Sequence, residues 1–290
     1  MDLSTATPWE KLKGIFFHLF PHHFLSRVTF WITRQQLPFN SFLIKAFIKS
    51  FNVDLRHAAI EDIDSYKTFN EFFTRTLKPN ARPIDTHTSS IISPCDGKIS
   101  LFGAINENTL LQAKNKTFTL NEFLTPSCTH TDKFINGSFY TIYLSPRDYH
   151  RVHMACDAQL LEMIYVPGRL FSVAPYAPKA IDKLYARNER VISVFKTELG
   201  YMASVMVGAV NVAAIETSWA GLVTPPHMSA PAYYDYSDKS ISLNKADEMG
   251  VFNMGSTVIL IFSSDNISAI DTLEINQSVK MGQTLATIQN

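Results

Sequence analysis

The chain has 290 residues, 46% of them hydrophobic and 18% charged, with equal numbers of basic and acidic side chains. That length supports a full core, since folding at this size buries roughly 75% of the surface an unfolded chain exposes, and the composition excludes a disordered or low-complexity protein. The neutral total hides an asymmetry: residues 1–57 hold seven Lys/Arg against three Asp/Glu, a net +4, which leaves −4 on the remainder.

The basic residues of that first region stand singly among Phe and Leu, a pattern that suits a membrane surface better than nucleic acid. In WEKLKGIFFHLF (9–20), Trp9, Leu12, Ile15, Phe16 and Leu19 fall at helical spacing. Pro21 stops that helix, and a second apolar stretch, FLSRVTFWITRQQL, runs to Pro38. A third, SFLIKAFIKSF, sets Ile44, Phe47, Ile48 and Phe51 on one stripe with Lys45 and Lys49 a turn apart. These helices are expected either to cap the body or to dock on an anionic surface, and different faces can do both. The N-terminal residues lack the features of a signal peptide, and no apolar run nears the ~18–20 residues of a spanning helix. Cys95, Cys128 and Cys156 have no CxxC spacing and are expected as reduced thiols.

From Ser65 to Pro83 the pattern predicts one more helix and a proline-containing connector, with the boundary of the helical region near residues 57–62. Beyond it come short β-like runs such as GKISLFGAI, GSFYTIYLS, YMASVMVGAVNVAAIE and TVILIF, punctuated by Gly, Pro, Asn and Asp. Strands without long intervening helices predict an α+β protein: amphipathic helices, then a β-rich catalytic domain of mixed or antiparallel sheets. The C-terminal VKMGQTLATI has the look of a lipoyl-type turn, so a barrel-sandwich-like C-terminal part is expected there.

Three segments carry candidate chemistry. In SPCDGK (93–98), Asp96-Gly97 is a strong turn signal, and read alone it is a plain hairpin turn. YLSPRDYHRVHM (143–154) concentrates Arg147, Asp148, His150, Arg151 and His153 directly after an apolar strand. Those histidines suit a general base or acid, a metal site, or a structural charge network, and no partner at metal spacing stands elsewhere. Met254-Gly255-Ser256-Thr257 opens the run VILIF, read as a strand buried on both faces. It lacks the flanking glycines of a serine-hydrolase elbow. It is a plain turn into the strand, or a place where Ser256 Oγ attacks the Gly255 carbonyl with a histidine as base and an Asp to orient it.

Together and in order, these segments resemble the phosphatidylserine decarboxylase family, pyruvoyl-dependent enzymes that make phosphatidylethanolamine. The family's Leu-Gly-Ser-Thr stands as Met254-Gly255-Ser256-Thr257, its Ser-Pro-x-Asp-Gly as residues 93–97, and its Tyr-Leu-Ser-Pro-x-Asp-Tyr-His-Arg-x-His is complete from residue 143. FFTRTLKPNARPID, PGRLFSV, NERV and VGAVNVAAI match between them. Two departures stand out: Asn115 follows Lys114 where the family has Gly, and Ala246-Asp247-Glu248 replaces Gly-Glu-Glu. Neither departure is expected to touch the chemistry.

The resemblance implies a proenzyme that cuts itself between Gly255 and Ser256 into a long chain (1–255) and a short chain (256–290) whose first residue becomes a covalent pyruvoyl group. By the family pattern Asp96, His153 and Ser256 form the self-cleaving triad, and His150 serves decarboxylation through an imine of the substrate amine. Arg151 or Arg169 is expected at the phosphodiester. The resemblance further implies residues 1–58 as a membrane-docking region and 59–290 as the catalytic domain. It implies a peripheral enzyme on the cytoplasmic face of the inner membrane, a tendency to homodimers, and neither a metal nor a nucleic-acid partner. The alternatives are a pyruvoyl enzyme for a soluble amino acid and an unprocessed lipid-binding relative.

Overall fold

A computed structural model describes residues 7–9, 22–113, 116–209, 214–225, 228–253, 256–263 and 266–288. The helix expected over 9–20 lies almost wholly outside the described residues, as do the turn at Lys114-Asn115 and the pair Met254-Gly255.

Two helices, His22–Thr33 and Asn40–Phe51, precede the body. The stripe Ile44, Phe47, Ile48 turns inward, where Phe47 meets Phe69, Phe72 and Phe73 at ring-centroid distances of 5.2 to 6.0 Å. The opposite face, with Phe42, Lys45 and Lys49, is exposed. No helix among the described residues is long and apolar enough to cross a membrane. The helix expected in 65–83 is only five residues, Phe69–Phe73, capped by Thr68. It stops early because Arg75 turns into the body to reach the carbonyls of Arg147 and Asp148.

The body is antiparallel throughout its ladders. Nine strands form the main sheet, in the order 232–235, 158–166, 190–197, 200–207, 256–262, 138–144, 97–104 and 278–279, with 242–243 also on 158–166. The strand Ser256–Phe262 lies in its middle, bonded on one side to 138–144 and on the other to 200–207, and all seven of its residues are buried. That environment is why its sequence is a continuous β-branched run rather than an alternating one. A second sheet orders 221–224, 214–217, 248–253 and 151–153. Gly250 lets the two sheets close, since a Cβ there would fall 2.6 Å from the Glu216 carbonyl and 2.9 Å from Met206 Sδ.

The C-terminal strands 267–269 and 284–288 join 90–92 in a third, small sheet. The sheets stay open, with no closed barrel among the described residues. All three cysteines are free and buried.

Candidate active site

Segment 93–96 runs between two partners. Pro94 O accepts the His153 amide at 2.7 Å, while Ser93 pairs with Gly282 and Gln283. Asp96 is therefore no hairpin corner; it is the last residue before the strand Gly97–Ala104. Gly97 is required by the close approach, because a Cβ would lie 2.5 Å from the Tyr143 carbonyl. The Asp96 carboxylate accepts from Arg82 Nε (2.9 Å) and Nη2 (2.6 Å), Lys280 Nζ (3.0 Å) and the Met281 amide (3.0 Å). Burial pushes its carboxyl pKa up, but the Arg82 hydrogen bond and charge, with Lys280 and Met281, more than offset that and leave it lowered.

His153 faces the other way. Its Nδ1 sits 2.8 Å from the Ala246 carbonyl, which only accepts, so Nδ1 carries the hydrogen. Nε2 is then the basic lone pair, and it accepts from the Tyr149 hydroxyl at 3.0 Å. The Tyr149 phenol stays protonated, its pKa raised by burial and by the Glu248 charge. Burial lowers the His153 pKa, keeping the ring neutral. The expected direct Asp96–His153 contact is not made: each group's bonding positions are filled by other partners. Ala246, the departure expected to be silent, supplies the orienting carbonyl and does so at φ +71°, the left-handed region. The departure thus lies beside His153, through a backbone carbonyl that any residue supplies.

His150 is fully buried. Its Nδ1 donates to Asp148 O at 2.8 Å, its ring lies 4.2 Å from that of Phe73, and its Nε2 has no partner among the described residues. Burial, then the nearby Arg75 charge, brings its pKa down to about 3, so Nε2 is a bare lone pair at neutral pH. The His150 carbonyl accepts the Phe252 amide at 3.0 Å, which ties it to the strand leading to residue 254.

Ser256 pairs with Leu144 at the head of its strand, and its Oγ, like that of Thr257, is buried without a partner among the described residues. Upstream, Asn253 donates to Glu216, which also receives Arg34 at 3.3 Å, so the end of the helix 22–33 is coupled to the segment before the cleavage motif. Of the two arginines expected at a phosphate, Arg151 is engaged with both Glu248 oxygens (2.8 and 2.9 Å) and with Thr74 O. The Arg169 backbone pairs with Arg187 and Glu189, and its guanidinium lies 5.8 Å from the Phe171 ring.

Sequence reasoning passed over Tyr149, Arg75 and Arg82 although all three stand in the quoted motifs. The signal was there: FFTRTLKPNARP supplies Phe73 to His150, Arg75 to Asp148 and Arg82 to Asp96.

The family model described as phosphatidylserine decarboxylase matches residues 69–287, and one described as PSD matches residues 12–52. The chain belongs to the phosphatidylserine decarboxylase family. Proteins named phosphatidylserine decarboxylase proenzyme are similar along almost their whole length. The one from Haemophilus influenzae is 45% identical over 98% of this chain and 99% of its own. That from Alkalilimnicola ehrlichii is 49% identical over 91% and 92%, and that from Pasteurella multocida 44% over 96% and 95%. The phosphatidylserine decarboxylase match spans the site built above from Phe73 to Gln283, and only Arg34 lies outside it.

Proposed function

We propose that the chain is a phosphatidylserine decarboxylase proenzyme that cuts itself at Gly255–Ser256 and uses the resulting pyruvoyl group to convert phosphatidylserine to phosphatidylethanolamine. One observation carries the reading: Ser256 heads a wholly buried strand with its hydroxyl unpaired, at the position where the family motif is cut. A buried, unbonded hydroxyl is costly as structure, and it fits a residue whose own atoms become the prosthetic group.

Ser256 Oγ adds to the Gly255 carbonyl carbon while His153 Nε2 takes its proton, for which Tyr149 first turns its hydroxyl away. The C–N bond breaks, the amine takes the proton, and an ester joins the two residues. Loss of the Ser256 Cα proton expels Gly255 as a carboxylate, and water releases ammonia from the dehydroalanine left at position 256. A pyruvoyl group at position 256 would supply the ketone that serves as amine acceptor and electron sink for the decarboxylation. His150 Nε2, neutral and open, takes the proton that the substrate ammonium must shed and delivers it to the substrate Cα, a contribution of ~10²–10⁴-fold. Asp96 steadies charge on His153 from a distance.

The buried side chains of Val258 to Phe262, at ~1.5–3 kcal/mol each, support continued association of chains 1–255 and 256–290 after cleavage. Residues 1–58 dock the catalytic region 59–290 on the cytoplasmic face of an anionic inner membrane. In support, Phe24, Trp31, Phe39 and Phe42 are exposed beside Arg27, Lys45 and Lys49. A homodimer is part of the same reading.

Intact mass of the denatured protein, followed by a phosphatidylserine assay, tests the proposal. Two chains split after Gly255, the short one lighter by one ammonia than a serine-started peptide, with CO₂ released from the lipid, are expected. A single chain of full length sinks it.

A further inference from the structure

The cavity on the outer side of Asp96 takes part in none of these steps. It encloses about 580 Å³ and is lined by Arg75, Arg82, Lys98, Arg147 and Lys280 as well as three carboxylates. Each carboxylate is already held: Asp54 by Arg56, Asp148 by the Ser145 amide and hydroxyl, and Asp96 by Arg82, Lys280 and Met281. Arg75, Lys98 and Arg147 have no carboxylate partner among the described residues.

Lys98 and Arg147 are exposed, and water serves them. Arg75 is different. It is only 6% exposed, its Nη2 donates to Arg147 O (3.0 Å) and Asp148 O (3.4 Å), and its Nη1 is buried with no partner. A buried charged donor is costly to leave unpaired, and the guanidinium fork matches phosphate oxygens. Burial also lowers the Arg75 pKa, yet no ordinary pH deprotonates an arginine.

We propose that this cavity binds a phosphate group, with Arg75 as the inner donor and Lys98 and Arg147 at the rim. Its ligand, if the decarboxylase reading holds, is the phosphodiester of the phosphatidylserine headgroup. Asp148 O accepts from both Arg75 Nη2 and His150 Nδ1, so a phosphate on Arg75 stands next to the histidine that serves the substrate. Lys98 pairs with Tyr143, which pairs in turn with Thr257, so the rim lies two strands, roughly 10 Å, from the strand that Ser256 heads. Arg151, committed to Glu248, is released from that duty.

The test uses the full chain and the double variant Lys98→Ala, Arg147→Ala, whose side chains are exposed. The variant is expected to split after Gly255 like the parent. Its KM for phosphatidylserine in neutral detergent micelles rises ~10-fold or more with kcat little changed. Inorganic phosphate is expected to compete with the lipid and raise the parent's Tm, and to do neither in the variant. If phosphate stabilises the parent alone while KM does not move, the site stands for the free anion and the lipid assignment is overturned. Unchanged KM with no phosphate effect on the parent overturns the site itself. A parent that phosphate stabilises but that never splits or releases CO₂ overturns the decarboxylase reading and leaves the site standing.

Discussion

His150 and His153 stand three residues apart, both buried and both neutral, and their rings are wired in opposite senses. His150 spends one nitrogen on Asp148 O and leaves the other bare. His153 spends both, one on Ala246 and one on Tyr149. Burial therefore does not separate them; the state of the Nε2 lone pair does, and the proposed division of roles rests on it. An open lone pair can meet each new substrate molecule. A capped one suits a single internal proton transfer that must wait until the fold is complete.

The sharpest way to break that comparison is to remove each ring in turn. His153→Ala is expected to leave one unbroken chain by intact mass. His150→Ala is expected to split normally and lose decarboxylation by ~10²–10⁴-fold. If instead His150→Ala blocks the split and His153→Ala decarboxylates, the wiring argument is wrong and the roles are exchanged.

Asp96 bonds to neither histidine, so in the proposed mechanism it serves them only through its charge, and Arg82 holds that charge: their side chains are 2% and 9% exposed. Arg82→Met is expected to cost ~3–5 kcal/mol in urea unfolding, since it leaves a buried carboxylate with Lys280 and one amide. Adding Asp96→Asn is expected to restore most of that loss while self-cleavage slows. Full stability in Arg82→Met alone would show that water reaches Asp96 and that the carboxylate is not buried in solution.

How much of this was legible in the sequence depends on the kind of signal. The apolar periodicities of 40–51 and 256–262 and the α+β class were legible, because each records a burial pattern that the fold satisfies. Residues with unusual chemistry, Asp96, His150, His153 and Ser256, stood out by type and motif. What did not show was which partner each would take. Asp96 is met by Arg82 and by Lys280, the latter 184 residues along the chain; His153 is oriented by Ala246, 93 residues away. Such pairings are set by sheet topology, and no local pattern encodes them. The short helix 69–73 was overcalled for the same reason, since a tertiary contact of Arg75 ends it.

The cap on His153 makes a smaller, directional prediction. The Tyr149 hydroxyl can donate to Nε2 only while the ring is neutral, so it favours the neutral form. Burial already lowers that pKa, and cleavage by a neutral base fails as pH falls through it. Removing the hydroxyl in Tyr149→Phe removes part of the preference. The acid limb of the self-cleavage profile, followed by mass against time, is expected to move upward by up to about one pH unit. Arg151, Glu248 and Asp96 still face the ring in that variant, so their contributions cancel in the comparison. An unmoved limb would mean that the phenol does not govern the base.

The least effect is expected at Ala246, and it separates the orienting carbonyl from the residue that carries it. A non-glycine residue at φ +71° costs ~1–2 kcal/mol relative to ordinary backbone, while glycine there loses more chain entropy on folding, ~0.4–1 kcal/mol. Ala246→Gly is therefore expected to stabilise the protein by about 1 kcal/mol or less and to leave the split unchanged, because the carbonyl that accepts from His153 remains. Ala246→Pro forces φ to about −65° and turns that carbonyl away. If the Pro variant, folded by circular dichroism, splits at the parental rate, then His153 does not depend on Ala246 for its tautomer, and the contrast with His150 reduces to Tyr149 alone.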